Sequence, residues 1–331
     1  MSEQYRKFEE MIGEAEKILV VQAENPDGDS LGSALALEEV LGDLGKEVHL
    51  YCPVDMPKYI RYFSGWSRVS GDFYFKADLV MVVDTAAEVL LSKLLDDPAI
   101  KNILETKPVI VVDHHFDTAP DLKFSHELIL EQAVATSEVL FRIFKELGYS
   151  VNAEAARCML AGIMSDTLGL ASQNVTSETY RLSAELMDLG ASVTEIEEAR
   201  RELMKKSPEI LRYKAKLIKR VEYYLDGQLA VVHIPWEEIR EFSDQYNPNV
   251  LIQEELRLVE GVRVSVAIKT YPDGKLTGKI RSDMPIAVEL AGFFGGGGHG
   301  YAAGFRVYEG YDEVLRELVR VSGELLAREA E

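Results

Sequence analysis

The sequence predicts an α/β protein with two domains. Short apolar runs alternate with helical patterns in the first half, an almost wholly helical stretch follows, and strand patterns dominate the last third. A chain of 331 residues is also longer than one hydrophobic core usually serves. We therefore expect an N-terminal domain with a mainly parallel sheet flanked by helices (1–190), a helical linker (191–220) and a smaller C-terminal α+β domain (221–331).

The N-terminal domain opens with a strand and a helix. Residues Lys17–Val21 form an apolar run that is typical of a buried strand, and residues 31–44 have helical spacing before Gly45, a residue type that commonly ends helices. Short β-branched runs with helical material between several of them predict further strands at 48–51, 79–83 and 109–112. This alternation is typical of βαβ units and therefore of a parallel sheet.

The rest of the chain changes its pattern twice. Residues 131–219 have helical spacing, and strong charge near their end suggests a solvent-exposed linker. Beyond the linker, strand patterns follow at 229–234, 262–270 and 275–281. The turn sequence Pro272-Asp273-Gly274 separates the last two of these strands, as expected for a hairpin. This part of the chain therefore fits a mixed α+β domain.

Composition limits the classes of function. A formal net charge of −20 argues against a binder of long duplex nucleic acid, although bound divalent cations would reverse the field locally. The polar N-terminus and the lack of a long apolar run argue against secretion and membrane insertion. Cys52 and Cys158 lack a paired spacing, as in reduced cytosolic proteins. We therefore expect a cytoplasmic protein.

Acidic residues follow the predicted parallel strands directly. Because the carboxyl ends of parallel strands meet at one edge of a sheet, these side chains should converge in space. A further acid follows an apolar helix. The four segments are Asn25-Pro26-Asp27-Gly28-Asp29, Asp84-Thr85, Asp113-His114-His115 and Ser165-Asp166-Thr167.

Each of these segments has a simple structural explanation when taken alone. Asp-Gly-Asp is a common turn, Asp84 would cap a following helix, and adjacent histidines can be satisfied by backbone hydrogen bonds. Together they are harder to explain in that way, since crowded carboxylates are costly unless cations bind between them. Carboxylates with one or two imidazoles suit Mn²⁺, Mg²⁺, Fe²⁺ or Zn²⁺. The pattern therefore favours a centre with two metal ions that activates water against phosphorus.

These motifs, in this order, resemble those of the DHH phosphoesterases. The segment Gly295-Gly296-Gly297-Gly298-His299 with Ala302-Ala303-Gly304 is similar to the DHH-associated C-terminal domain, called DHHA1. The resemblance covers nearly the whole chain, and its layout is closest to the bifunctional oligoribonuclease and pAp phosphatase (nanoRNase) branch. It implies a DHH catalytic domain at 1–190 and a DHHA1 substrate-binding domain at 221–331.

The resemblance also implies roles for individual residues. Asp27 would bind a first metal ion, Mn²⁺ by preference with Mg²⁺ or another divalent ion as alternatives, and Asp84 would bridge it to a second. Asp29, His114 and Asp166 would bind the second ion. The catalytic residues would be Asp84, His115 facing the substrate phosphate, and Asp113 orienting an adjacent histidine.

The first motif departs from the family at one position. Related proteins carry a histidine two residues before the Asn-Pro pair, where this chain has Ala23. Gln22 and Glu24 should point away from the face that Ala23 occupies, although a bulge would bring Glu24 inward and a water molecule would fill the vacant position. Three readings follow: an enzyme with a weakened first metal, an enzyme with one metal, or an inactive binding protein.

The glycine-rich segment supplies candidate substrate contacts. Glycines let backbone N–H groups approach an anion, and a histidine and an arginine nearby would add donors. A flexible loop is the simpler alternative. The resemblance implies a nucleotide held in a cleft between the domains, with the substrate-binding residues Arg281, Ser282, Gly296, Gly297, Gly298 and His299.

These observations lead to three functional hypotheses. The first is a phosphodiesterase and phosphatase that hydrolyses short RNA or small nucleotides such as pAp to mononucleotides, with a homodimer compatible with the family. The second is a nucleotide-binding protein whose catalysis is lost through Ala23. The third is a family enzyme that acts on cyclic dinucleotides. A hydrolysis panel with metal analysis separates the three.

Overall fold

The computed structural model describes residues 2–116 and 119–328, except for the side chain of His299. The chain forms two compact units, Met1–Lys205 and Lys206–Glu331. The predicted linker at 191–220 falls across this boundary, with one helix on each side of it.

The first unit contains a five-stranded parallel sheet with the strand order β2-β1-β3-β4-β5. Its strands are β1 (Lys17–Val21), β2 (Glu47–Tyr51), β3 (Leu79–Val83), β4 (Val109–Asp113) and β5 (Glu127–Leu130). Its helices are α1 (Glu3–Glu14), α2 (Gly28–Asp43), α3 (Ser92–Leu95), α4 (Pro98–Thr106), α5 (Thr136–Leu147), α6 (Ala153–Asp166), α7 (Ser177–Asp188) and α8 (Val193–Leu203). The parallel sheet confirms the predicted α/β class.

The two faces of this sheet carry separate apolar cores, which is why its strands are apolar throughout. Ile18 and Val20 of β1 pack with the core that contains α2, α5 and α6. Leu19 and Val21 point to the opposite face, whose core includes residues of α3 and α4. Helices therefore cover both faces and leave the carboxyl edge of the strands as the open end of the sheet.

The second unit contains a mixed six-stranded sheet with the order β10-β11-β9-β8-β7-β6, in which only β7 and β8 pair in parallel. Its strands are β6 (Glu222–Tyr224), β7 (Leu229–Ile234), β8 (Val264–Thr270), β9 (Leu276–Ser282), β10 (Gly297–His299) and β11 (Ala302–Val307). Its helices are α9 (Pro208–Lys219), α10 (Trp236–Phe242), α11 (Pro248–Leu256), α12 (Ala287–Phe293) and α13 (Tyr311–Arg328). This mixed sheet confirms the predicted α+β character.

Two further features of the fold concern its cysteines and the apolar character of its helices. Cys52 and Cys158 are buried free thiols, and burial raises the pKa of Cys52 to about 11 and that of Cys158 to about 12. Among the described residues, no helix is both long enough and apolar enough to cross a membrane.

Candidate active site

The carboxyl edge of the parallel sheet brings four of the five predicted metal ligands together. Asp84 follows β3, His114 follows β4, Asp29 lies in the first turn of α2, and Asp166 ends α6. His114 Nε2 lies 3.4 Å from Asp166 Oδ2 and 3.5 Å from Asp84 Oδ1. It lies 3.9 Å from Asp29 Oδ2. Carboxylates from three distant parts of the chain therefore surround one imidazole nitrogen.

The atoms around His114 form a donor set that suits a divalent metal. Its Nε2 atom is buried and has no hydrogen-bond partner among the described residues. Its Nδ1 atom faces the carbonyl oxygen of Ala133 at 3.3 Å, which favours a hydrogen on Nδ1 and leaves Nε2 to bind a cation. Oxygen ligands with imidazole suit Mn²⁺, Mg²⁺ or Fe²⁺. Two sets have ligand atoms within 4.8 Å of one another: Asp29, His114 and Asp166, and Asp84, His114 and His115.

The ionisation of the cluster reflects an excess of negative charge. Burial, reinforced by the charges of neighbouring carboxylates, raises the pKa of Asp84 well above its usual value. Burial also raises the pKa of Asp166 to about 6, despite its contact with His114. Burial alone would lower the pKa of His114, but Asp166 and Asp29 outweigh it and raise that pKa to about 9. In the absence of metal, protons therefore supply the positive charge that the cluster requires.

Asp27 combines its place beside the cluster with a structural role. Its Oδ1 atom accepts hydrogen bonds from the backbone N–H groups of Asp29 and Ser30, both at 3.0 Å, and so caps α2. Burial, with a contribution from the charge of Asp29, raises the pKa of Asp27. Neither of the two sets of converging ligand atoms includes Asp27. Its predicted role as a ligand of the first metal therefore stays a prediction.

The neighbours of Ala23 do not replace the missing histidine. The Glu24 carboxylate accepts hydrogen bonds from Ser92 Oγ at 2.5 Å and from the backbone N–H of Lys93 at 3.0 Å. Burial would raise the pKa of Glu24, but these hydrogen bonds outweigh it and lower that pKa. The Gln22 side chain is buried, and its Oε1 atom accepts a hydrogen bond from Ser30 Oγ at 3.2 Å. The bulge that would turn Glu24 inward is therefore not formed.

Asp113 orients His115 rather than His114. Its Oδ1 atom accepts a hydrogen bond from His115 Nδ1 at 2.7 Å and one from the backbone N–H of His114 at 2.8 Å. Burial would raise the pKa of Asp113, but the contacts with His115 outweigh it and lower that pKa. The His115 side chain is 50% exposed, whereas that of His114 is 11% exposed. His115 is therefore held by its Nδ1 atom and is accessible to a ligand.

Sequence reasoning missed two residues at the start of α5. The backbone N–H groups of Thr136 and Ser137 donate to Asp29 Oδ2 at 2.5 Å and Asp29 Oδ1 at 3.0 Å. Thr136 Oγ1 donates to Asp84 Oδ1 at 3.0 Å. The N-cap residue of this helix is Ala135, which has no side chain able to cap it. The one available signal in the sequence was the lack of a capping side chain at the start of α5. The carboxylate of Asp29 caps this helix instead.

Two glycines allow the helices that carry the acids to approach closely. A Cβ atom on Gly28 of α2 would lie 2.3 Å from Ser165 Oγ of α6. A Cβ atom on Gly162 of α6 would lie 2.3 Å from Ser137 Oγ and 3.0 Å from Asp29 Oδ1. A larger side chain at either position would therefore displace the groups around Asp29 or Asp166.

The predicted substrate-binding residues lie on or next to β9 and β10, two strands of the second unit that both pair with β11. His299 of β10 pairs with Ala302 of β11, which pairs with Arg281 of β9. The side chain of His299 lies outside the described part of the structure. Ser282 is buried, where its Oγ atom donates to the Arg263 carbonyl oxygen at 3.1 Å and accepts from the Met284 N–H at 3.1 Å. The Ser282 hydroxyl is therefore engaged within the fold.

The glycine-rich segment is an ordered hairpin rather than a free loop. Gly297 and Gly298 lie in β10, and a Cβ atom on Gly298 would lie 2.6 Å from the Ala302 carbonyl oxygen. A Cβ atom on Gly296 would lie 2.2 Å from the Gly304 carbonyl oxygen. Close packing against β11 therefore explains two of these glycines without a ligand.

Known proteins with similar sequences include phosphatases and a family defined by its N-terminal domain. Residues 17–163 match the DHH family, N-terminal domain. The chain is 28% identical over 312 residues to the bifunctional oligoribonuclease and PAP phosphatase NrnA of Thermus thermophilus, which covers 91% of this chain and 90% of that protein. It is 30% identical over 183 residues to the manganese-dependent inorganic pyrophosphatase of Bacillus subtilis, which covers 53% and 55% respectively.

Similarity to solved structures extends over both units. An exopolyphosphatase-related protein from Bacteroides fragilis has a TM-score of 0.84 at 24% identity, covering 98% of this chain and 97% of that one. RecJ of Thermus thermophilus has a TM-score of 0.55 at 18% identity, covering 97% of this chain and 54% of that one. The fold is therefore shared along nearly the whole chain.

Metal binding should stabilise the protein by relieving the repulsion between its carboxylates. We expect saturating Mn²⁺ to raise the midpoint of thermal unfolding by about 5 °C or more, and Asp84→Asn to remove most of that rise. The metal must displace the His114 proton, whose pKa is raised to about 9, so the stabilisation should grow between pH 6 and pH 8.5. Differential scanning fluorimetry with EDTA controls measures both effects, and an equal rise in the variant would contradict the assignment.

The Thr136 hydroxyl should matter for the metal cluster beyond its role in folding. Thr136→Val keeps the backbone hydrogen bond to Asp29 but removes the one to Asp84, and we expect about tenfold weaker Mn²⁺ binding. Thr136→Ser keeps the hydroxyl and should bind Mn²⁺ like the original chain. Calorimetric titration of both variants is the measurement, and equal affinities would show that the hydroxyl only supports the fold.

Proposed function

We infer that this chain is a phosphoesterase, since its residues 17–163 match the DHH family, N-terminal domain, and we propose that it hydrolyses short oligoribonucleotides and pAp to mononucleotides. The observation that carries the proposal is the convergence of Asp29, Asp84 and Asp166 on His114 Nε2. Such a donor set is suited to the metal-assisted hydrolysis of phosphate esters.

The extent of similarity favours this substrate class over inorganic pyrophosphate. The chain matches NrnA along about nine-tenths of both proteins, whereas the manganese-dependent pyrophosphatase matches only about half of each. Both names concern those proteins, and the full-length match is the better guide for this chain. The manganese dependence in the second name supports a divalent metal here as well.

Exposed apolar side chains beside the cluster support an organic substrate. Phe116 directly follows His115 and is 55% exposed, and Leu168 lies two residues after Asp166 and is 79% exposed. Tyr59 is 57% exposed, and its hydroxyl donates to the carbonyl oxygen of Pro26, next to Asp27. A nucleobase or ribose would cover such side chains, whereas pyrophosphate offers no apolar surface.

In the proposed mechanism, the residues of the cluster would hold two Mn²⁺ ions, and Mg²⁺ would suit the same ligands. Asp27 would bind the first, Asp29, His114 and Asp166 the second, and Asp84 both. The ions, when bound, supply a nucleophilic water at neutral pH and neutralise charge on phosphate oxygens. Asp113 holds the half-exposed His115 by Nδ1, and the imidazolium form of His115 would donate a hydrogen bond from Nε2 to the substrate phosphate.

A nucleotide-binding protein with impaired catalysis is the second candidate, because the position of Ala23 offers no ligand. Glu24 is hydrogen-bonded to Ser92 and Lys93, and Gln22 to Ser30. The first metal would then depend on Asp27 and Asp84 with water in the remaining positions. An enzyme that hydrolyses cyclic dinucleotides is the third candidate. A hydrolysis panel that includes cyclic dinucleotides distinguishes it from the other two.

A hydrolysis panel tests the proposal directly. We expect the chain with Mn²⁺ to cleave RNA of two to five nucleotides and pAp, and to leave pyrophosphate and cyclic dinucleotides uncleaved. Asp84→Ala should lower the rates at least about 100-fold, because it removes a carboxylate from the cluster. Asp188→Ala, which changes an exposed acid on α7, is the matched control and should retain the rates. Binding of nucleotide without any cleavage would contradict catalysis.

Restoring the family histidine tests the effect of Ala23. Ala23→His adds an imidazole four residues before Asp27, and we expect tighter binding of a first Mn²⁺ and a hydrolysis rate higher by about tenfold. Metal content per chain, measured by mass spectrometry after desalting, and the pAp hydrolysis rate are the readouts. Unchanged metal content with an unchanged rate would show that the chain does not lack a ligand at this position.

A further inference from the structure

The turn that follows α6 is left-handed at three consecutive residues. The helix ends at Asp166, and φ is 51° at Leu168, 74° at Gly169 and 69° at Leu170. The N–H group of Gly169 donates to the carbonyl oxygen of Met164 at 2.8 Å, which is the hydrogen bond of a Schellman motif. The residue directly after the C-cap of such a motif is left-handed and is usually glycine. In this chain, that position is occupied by Leu168.

Hydrogen bonds hold this turn in place. Thr167 is completely buried, and its Oγ1 atom donates to the carbonyl oxygen of Ile163 at 2.5 Å and accepts from the N–H of Leu170 at 2.9 Å. The carbonyl oxygen of Thr167 accepts hydrogen bonds from the N–H groups of Ala171 at 2.8 Å and Ser172 at 2.9 Å. The backbone of the turn is therefore fixed in its left-handed conformation.

Packing offsets the backbone strain at Leu170 but not at Leu168. A left-handed backbone is unfavourable for any residue that has a Cβ atom. Leu170 is partly buried against the core that contains α2, α5 and α6, and its carbonyl oxygen accepts a hydrogen bond from the Tyr180 hydroxyl at 2.9 Å. Leu168 is 79% exposed and packs in neither of the apolar cores that the described residues of the first unit form. Glycine would adopt this turn without strain, so the fold does not account for a leucine here.

The strained leucine lies beside the metal cluster. Leu168 follows Asp166 by two residues, so their Cα atoms are at most about 7.6 Å apart. The Oδ2 atom of Asp166 lies 3.4 Å from His114 Nε2. A single exposed leucine is ordinary on a protein surface. A leucine that is also held in a left-handed turn is not, and backbone strain of this kind concentrates at functional sites.

The side chain of Leu168 limits the chemistry of what it can bind. Leucine offers neither a charge nor a hydrogen bond, so it gains free energy only by covering apolar surface. Inorganic phosphate and pyrophosphate have no such surface, whereas the sugar and the base of a nucleotide do. In a 5′-nucleotide, only one oxygen and one carbon atom separate the phosphorus from the sugar ring. A nucleotide that binds by its phosphate therefore brings apolar surface to the immediate surroundings of the phosphate site.

We propose that Leu168 is a specificity-determining residue, which covers the nucleoside of a substrate whose phosphate lies at the metal cluster. The inference rests on the proposed function of that cluster, and it adds the residue that distinguishes nucleotides from inorganic phosphates. The nucleoside supplies the apolar contact that the chain itself does not give to this side chain. The strain in the turn is then a loss of stability that presents an apolar group to the substrate.

Calorimetric titration of the full chain with Mn²⁺ tests the proposal, with AMP and inorganic phosphate as probes. We expect Leu168→Gly to bind AMP at least about fivefold more weakly, because it loses the apolar contact, and to bind inorganic phosphate with unchanged affinity. Leu258→Gly makes the same change at a leucine of the second unit that is 83% exposed, and it should bind both probes normally. No binding of AMP at millimolar concentration, an unchanged AMP affinity in Leu168→Gly, or an equal loss for inorganic phosphate would overturn the proposal.

Thermal unfolding separates this role from a structural one. Leu168→Gly and Leu168→Asn relieve the left-handed strain, so the midpoint of unfolding should stay unchanged or rise, although both should bind AMP weakly. Leu168→Met keeps an apolar side chain and should bind AMP like the original chain. A midpoint lower by more than about 3 °C in Leu168→Gly would show that the leucine supports the fold and would contradict the proposal.

These measurements do not depend on hydrolysis, because AMP is a product of the proposed reaction. A chain that binds AMP through Leu168 but cleaves no nucleotide would contradict the proposed hydrolysis and support this inference. A chain that cleaves nucleotides with an AMP affinity independent of Leu168 would do the reverse.

Discussion

Negative charge buried at the carboxyl edge of the parallel sheet is the constraint on which the rest of the first unit depends. Asp29 and Asp84 are almost completely buried, and Asp166 lies beside them with one imidazole between the three. Burial of like charges is strongly unfavourable, and here it raises the pKa of Asp84 and Asp166. A divalent cation would remove that cost, so the proposed metal accounts for the gathering of these acids.

The same carboxylates also support the fold. Asp27 caps α2, and Asp29 caps α5 from a distant part of the chain, in place of the Ala135 side chain. Because each carboxylate oxygen has more than one lone pair, a backbone hydrogen bond leaves room for a metal. These caps fix the direction of the carboxylates before a metal arrives. Loss of such a residue should therefore affect both stability and metal affinity, and the two must be measured separately.

Local sequence pattern predicted the apolar strands well, because burial on both faces produces short continuous runs. Lys17–Val21, Leu79–Val83 and Leu229–Ile234 have the expected bounds. Helix α2 begins at Gly28 rather than near residue 31, since Asp27 caps it and the apolar spacing marks only its buried face. Strands β5, β6, β10 and β11 were missed. Three of them are edge strands and β11 lies between β10 and β9, so their pairing depends on partners elsewhere in the chain.

The candidate site likewise has some features that local sequence predicts and others that depend on tertiary contacts. Acids at strand ends predicted the cluster, since topology alone makes parallel strand ends converge. The hydrogen bond from Thr136 to Asp84 joins residues 52 positions apart, and no local pattern encodes it. The contact between Glu24 and Ser92 is equally non-local, and it decides that Glu24 stays away from the cluster. Tertiary contacts of this kind are set by the fold as a whole and not by local sequence.

The central claim is that distant carboxylates and His114 hold divalent metal together. Anomalous diffraction at the manganese edge, from crystals grown with Mn²⁺, tests this most directly. The account predicts manganese bonded to Asp84 and to the set Asp29, His114 and Asp166, with the weaker of two peaks beside Asp27 and Ala23. Manganese bound elsewhere, or a well-ordered cluster without manganese at saturating concentration, would contradict it.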